Sequence, residues 1–222
     1  MSYPNYTRSE RMADAIVHVI GVLSALIAIT VLFWMLSDHM GWGTFLAVSI
    51  YAVALLLMLT ASAAYHMAAH TSLRPLLRRI DHAAIYLKIA GSFTPLALLL
   101  GTGFGYAVLS VVWLVAILGA WAKLMAERGK MTTGWASQVA LGWVGLALIV
   151  PLWAVLPQQS MWFIVAGGML YTSAVVFYCW ENLRYANAIW HAFVLIATGC
   201  MFWGISTAVV SALQAQPSFA PG

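Results

Sequence analysis

Residues 43–79 read GTFLAVSIYAVALLLMLTASAAYHMAAHTSLRPLLRR. The first part, Gly43–Tyr65, contains no charged side chain; the end carries Arg74, Arg78 and Arg79. A helix needs about 20 predominantly apolar residues to cross the hydrocarbon of a bilayer, so Gly43–Tyr65 reads as a membrane span. Basic residues in short loops mark the cytoplasmic face, so the arginines place the end of that span inside the cell. Working outward, six more apolar stretches of similar length appear: Met12–Leu36, Ile80–Leu100, Tyr106–Met125, Trp135–Leu156, Met161–Trp180 and Ala188–Leu213. Arg8 and Arg11 precede the first stretch, Lys123, Arg128 and Lys130 end or follow the fourth, and Arg184 follows the sixth. The intervening gaps and the C-terminal tail have none. Basic residues in every second gap and seven spans predict an all-α integral membrane protein, a seven-helix bundle with its N-terminus cytoplasmic and its C-terminus outside.

Composition excludes the soluble classes. The chain has 222 residues, of which 64% are hydrophobic and 7% charged, whereas a soluble domain is about a quarter charged. Seven spans consume most of this length and predict a single membrane domain, residues 1–222, in the cell membrane. The net charge of +4 is accounted for by the cytoplasmic loops. It points to anionic lipid headgroups and not to nucleic acid. Cys179 and Cys200 both lie in apolar stretches and form no disulfide framework. The first stretch is too long for a signal-peptide core and reads as an uncleaved span.

Ionisable side chains inside spans are costly and mark function by default. Here they are Asp14, His18, His66, Asp81, His82, Lys88 and His191. His66 ends the second span, Asp81 begins the third and His191 lies in the first turn of the seventh, so all three are expected at the cytoplasmic ends of their helices. His18 lies roughly 9 Å along the first span from Met12, at 1.5 Å per residue. Ser62 and His66 are four residues apart, as are Asn187 and His191, and Asp14 and His18. Residues so spaced share a helix face, and a hydroxyl or carboxylate one turn from a histidine can fix its tautomer. Two histidines from separate helices with a carboxylate suit a zinc site with an open position. The same residues also suit a structural hydrogen-bonded cluster. Lys88 sits two turns beyond Asp81 on roughly the same face, suited to pairing within the bundle or to contact with lipid.

The chain resembles the haemolysin III branch of the progestin and adipoQ receptor family, which is similar to the alkaline ceramidases. The resemblance rests on SAAYH (Ser62–His66), RRIDHAAIYLKIAGSFTP (Arg78–Pro95), GGMLYT (Gly167–Thr172), NAIWHAFV (Asn187–Val194) and ERMADAIVHVIG (Glu10–Gly21). It implies seven helices, an inward N-terminus and a zinc ion near the cytoplasmic side. The implied ligands are the histidine of an SxxxH motif and both histidines of a C-terminal HxxxH, with an aspartate ordering water at the metal. Carried onto this sequence, these are His66 (with Ser62 beside it), His191 and Asp81. The first position of HxxxH is Asn187, a weaker zinc ligand than imidazole. Three arrangements remain open: Asn187 as a weak ligand, His18 or His82 in its place, or a vacated metal site.

Three functional classes follow. One is a zinc-dependent lipid amide or ester hydrolase, with Asp81 and Ser62 catalytic, acting in membrane or lipid homeostasis. The second is a non-catalytic sensor of membrane state or a lipid-binding protein. The third, a pore or haemolysin, is disfavoured because no span has a polar face to line a channel.

Overall fold

Each apolar stretch folds as helix because a chain in hydrocarbon must satisfy its backbone polar groups internally. The computed structural model describes residues 6–37, 39–68, 71–126, 135–180 and 182–215. His70, Arg128, Lys130 and the C-terminal tail from residue 216 lie outside the described residues. The helices are α1 (Arg8–Leu36), α2 (Trp42–Met67), α3 (Arg74–Leu100), α4 (Gly103–Met125), α5 (Trp135–Trp143), α6 (Leu146–Val155), α7 (Gln158–Cys179) and α8 (Ala186–Gln214). Among the described residues there is no strand. With α5 and α6 taken as one span, seven helical spans are long and apolar enough to cross a membrane.

Several helices begin before their apolar stretch does. α1 starts at Arg8 because Thr7 and Glu10 form a capping box: the Thr7 side chain accepts from the Glu10 amide, and Glu10 accepts from the Thr7 amide at 2.8 Å. α3 starts at Arg74 with a proline in its first turn and ends on Gly101 in the left-handed conformation (φ 63°). Asp81 therefore lies two turns inside α3 and does not begin it. The fifth stretch departs from a single helix. At Val144 and Gly145 the pattern tightens: Gly145 N–H bonds Gly142 C=O (3.1 Å) and Leu148 N–H bonds Gly145 C=O (2.9 Å). These shorter-range bonds keep the backbone satisfied through the break. The break is set against Phe93, whose ring would lie 3.0 Å from a Cβ at Gly145.

α3 is the most buried span and packs on α2, α4, α5, α6 and α8. The most extensive pairings are α7 with α8, α2 with α3, and α3 with α4, while α1 closes the bundle against α2 and α8. The pairings of α1 matter most for function, because they bring the starts of α1 and α8 to the end of α2. Glu10 reinforces this: its second carboxylate oxygen accepts from the backbone N–H of Tyr185 (3.1 Å), the residue just before α8.

Close approach of α7 and α8 depends on Gly204, where a Cβ would lie 2.8 Å from both Ile164 Cγ1 and the Ser160 carbonyl oxygen. Gly204→Val is expected to destabilise the purified protein by about 1–3 kcal/mol, as overpacking does. Gly199→Ala, where a Cβ meets nothing within 4 Å, is expected not to lower the melting temperature. Thermal melts of the two variants beside the wild type check this.

Candidate metal centre

Where α1, α2 and α8 meet, three imidazoles close on one carboxylate. The Asp14 carboxylate is buried, and its Oδ1 accepts from Nδ1 of His191 at 2.6 Å. Nδ1 of His66 lies 3.3 Å from Asp14 Oδ2, and Nε2 of His18 lies 3.7 Å from Oδ1. The rings touch one another, with centroids 4.4 Å apart for His18–His191 and His66–His191 and 5.2 Å for His18–His66. Candidate ligand atoms of Asp14, His18, His66 and His191 all lie within 4.8 Å of one another.

The protonation pattern favours a cation at this place. A neutral imidazole carries one N–H and one lone pair. His191 uses its Nδ1 proton on Asp14, so its Nε2 presents a lone pair. Nε2 of His18, of His66 and of His191 are all buried without a hydrogen-bond partner. Unsatisfied polar atoms are rare in protein interiors, and three imidazoles gathered in one cluster match the donor set that zinc prefers. The residues therefore fit a metal ion. Asp14 does what a carboxylate does behind a metal-bound histidine, fixing the ring's tautomer and orientation.

Two cavities flank the cluster. One, of about 400 Å³, is lined by Arg8, Glu10, Arg11, Asp14, His66 and Asn187 and sits at the basic ends of the helices. The other, of about 430 Å³, runs into the bundle between mostly apolar walls from α3, α5, α6, α7 and α8. His18 and His191 form its wall nearest the cluster, together with Ser62, Asp81 and His82. Asp81 is buried and shares this wall with Ser62. The cluster thus separates a polar vestibule from an apolar chamber.

The model of the family described as "Haemolysin-III related" matches residues 6–202. The chain belongs to the haemolysin III family. It is 33% identical to "Hemolysin-3" of Bacillus cereus over 195 residues, covering 87% of this chain and 89% of that protein. It is 32% identical to "Hemolysin-3 homolog" of Bacillus subtilis (strain 168) over 200 residues, covering 89% and 93%.

The structure places the residues singled out by sequence as follows. His66 and His191 are in the cluster, and so is His18, from a different helix than Asn187. Asn187 directs its amide nitrogen inward, 3.4 Å from Asp14 Oδ2 and 3.1 Å from His66 Nδ1. It stands here as a hydrogen-bond donor, and to act as a ligand it would have to turn its amide oxygen inward. The His66 tautomer decides which contact forms: with its proton on Nδ1 it donates to Asp14 and frees Nε2, and without it Nδ1 accepts from Asn187. His82 lies apart from the three imidazoles, with Nδ1 2.8 Å from the Arg78 carbonyl and 3.5 Å from Asp81 Oδ2. Asp81 and Ser62 face the chamber one step from the cluster. The carboxylate in contact with the imidazoles is Asp14, which the motif comparison does not select. Its spacing of four residues from His18 was the available signal.

These positions give a test of the ligand set. Purified protein is expected to retain about one metal ion per chain, and His18→Ala is expected to weaken retention about as much as His66→Ala or His191→Ala. His82→Ala should leave it unchanged, and Asp14→Asn should reduce affinity by about 10–100-fold, as loss of a carboxylate behind a ligand does. Elemental analysis after dialysis against graded chelator measures all five.

Proposed function

We propose that the protein is a zinc-dependent hydrolase of a lipid amide or ester, working in membrane lipid homeostasis in the cytoplasmic membrane, N-terminus inside. The observation that carries this reading is the cluster's position. Three imidazoles whose Nε2 atoms are buried and unpartnered stand at the head of an apolar chamber, with a second buried carboxylate, Asp81, and a hydroxyl, Ser62, on the same wall. His18, His66 and His191 would hold the ion. When bound, zinc supplies a Lewis acid that makes water acidic enough to ionise near neutral pH.

The chain's own groups supply the rest. The apolar walls hold an acyl chain and exclude bulk water, leaving the carbonyl of an amide or ester at the polar wall. Asp81 accepts the proton of the attacking water and returns it to the departing amine or alkoxide. Ser62, on the same wall, orients that carboxylate. Asp14 keeps Nδ1 of His191 protonated, so that Nε2 remains a donor of its lone pair. The vestibule beside Asp14 and His66 gives water and the polar product a route to the basic face of the bundle.

Release of free fatty acid from N-acyl amines and monoacylglycerols in mixed micelles tests this. Activity is expected to depend on zinc and to fall by about 10²–10⁴-fold in Asp81→Asn, the usual contribution of a general base, with metal content unchanged. Hydrolysis insensitive to chelation and to Asp81→Asn contradicts the proposal. Tight zinc binding with no hydrolysis across the panel favours the lipid-binding or sensing role instead.

A further inference from the structure

Roughly 10 Å beyond Asp81 along α3, at 1.5 Å per residue, Lys88 places its amine nitrogen in the wall of the inner chamber. It is buried, and among the described residues no carboxylate pairs with it. Its polar partner is the Tyr171 hydroxyl. The direction of that bond follows from the next two. Thr198 donates to the Val194 carbonyl at 2.7 Å, so its oxygen accepts from Tyr171 at 2.6 Å, and Tyr171 in turn accepts from Lys88. The chain of hydrogen bonds runs one way, from Lys88 through Tyr171 and Thr198 to backbone. An ammonium has three N–H donors, so two remain for the chamber. A cation held at membrane depth without a counter-ion is costly and marks a ligand or ion pathway.

We propose that the inner chamber binds a single-chain fatty acid with its carboxylate on Lys88 and its tail along Phe93, Leu96, Leu152 and Met161, in the half of the bundle away from the metal cluster. These four side chains line the same cavity beyond Lys88. Charge selects the head group. Lys88 brings one positive charge, and the other Lys or Arg of the chamber wall, Arg78, lies ten residues earlier, roughly 15 Å away along α3. One carboxylate is neutralised by this arrangement, whereas a phosphate or sulfate head would leave charge and acceptor oxygens unmatched in apolar surroundings. The proposal shares its chamber with the hydrolase reading but uses none of the cluster's residues, and the metal-free test below separates the two.

The test uses full-length protein stripped of metal with chelator, so that no ion at the cluster competes for the carboxylate. Radiolabelled palmitate is displaced with unlabelled palmitate or with methyl palmitate. The wild type is expected to prefer the acid by at least about tenfold, the worth of one charge-assisted pair. Lys88→Met is expected to lose that preference while still binding the ester, and Lys88→Arg to keep it. A wild type that binds acid and ester alike, or a Lys88→Met variant that keeps the preference, overturns the proposal. A second measurement needs no variant. Carbodiimide activation of bound palmitate should join its carbonyl carbon to Nζ of Lys88, the acid oxygen leaving with the carbodiimide as its urea. Peptide mass mapping should find that amide on Lys88, and labelling confined to Lys123 and Lys130 overturns it.

Discussion

A carboxylate kept from water inside a helical bundle must be surrounded by donors, and Asp14 draws its donors from α2 and α8. An aspartate buried within a membrane helix is costly unless it is paired. Here that cost is offset by His191 at 2.6 Å and Asn187 at 3.4 Å, with His66 at 3.3 Å. Satisfying Asp14 therefore requires the start of α8 and the end of α2 to converge on α1. The Glu10 latch to the Tyr185 amide holds the same junction from the other side. One requirement, that a buried anion be met, builds the site and joins the first helix to the last.

The cluster then divides the space around it. Toward the basic ends lies a polar vestibule, and into the bundle runs an apolar chamber, with Asp14 and His66 facing the first and His18 and His191 the second. Water-consuming chemistry on a lipid needs both environments within reach of one centre. The broken α5–α6 span contributes to the chamber: Gly142, Gly145 and Leu146 line it, and the tightened turn spares the backbone an unpaired group there.

Much of this was legible in the amino-acid order because bilayer physics leaves few alternatives. Length, hydropathy and the arginines at Arg74, Arg78 and Arg79 sufficed for seven spans. The break at Val144–Gly145 was not legible, since hydropathy is continuous across it and Phe93, the α3 side chain packed against it, is distant in sequence. The metal cluster was half legible. His66 and His191 stand in motifs, and the Asn187 departure left open which further side chain joins them. Which histidine does so depended on whether α1 packs beside α8, a tertiary fact that no local pattern carries. For the same reason Asp14 was overshadowed by Asp81: both are carboxylates near one membrane level, and only packing shows which of them touches the rings.

The central claim is that imidazoles from α1, α2 and α8 share one zinc ion. X-ray absorption at the zinc edge of the purified protein tests it most directly. The account predicts three imidazole nitrogens at about 2.0–2.1 Å, falling to two in His18→Ala. A spectrum unchanged by removal of His18, or one dominated by ligands other than imidazole, would contradict it.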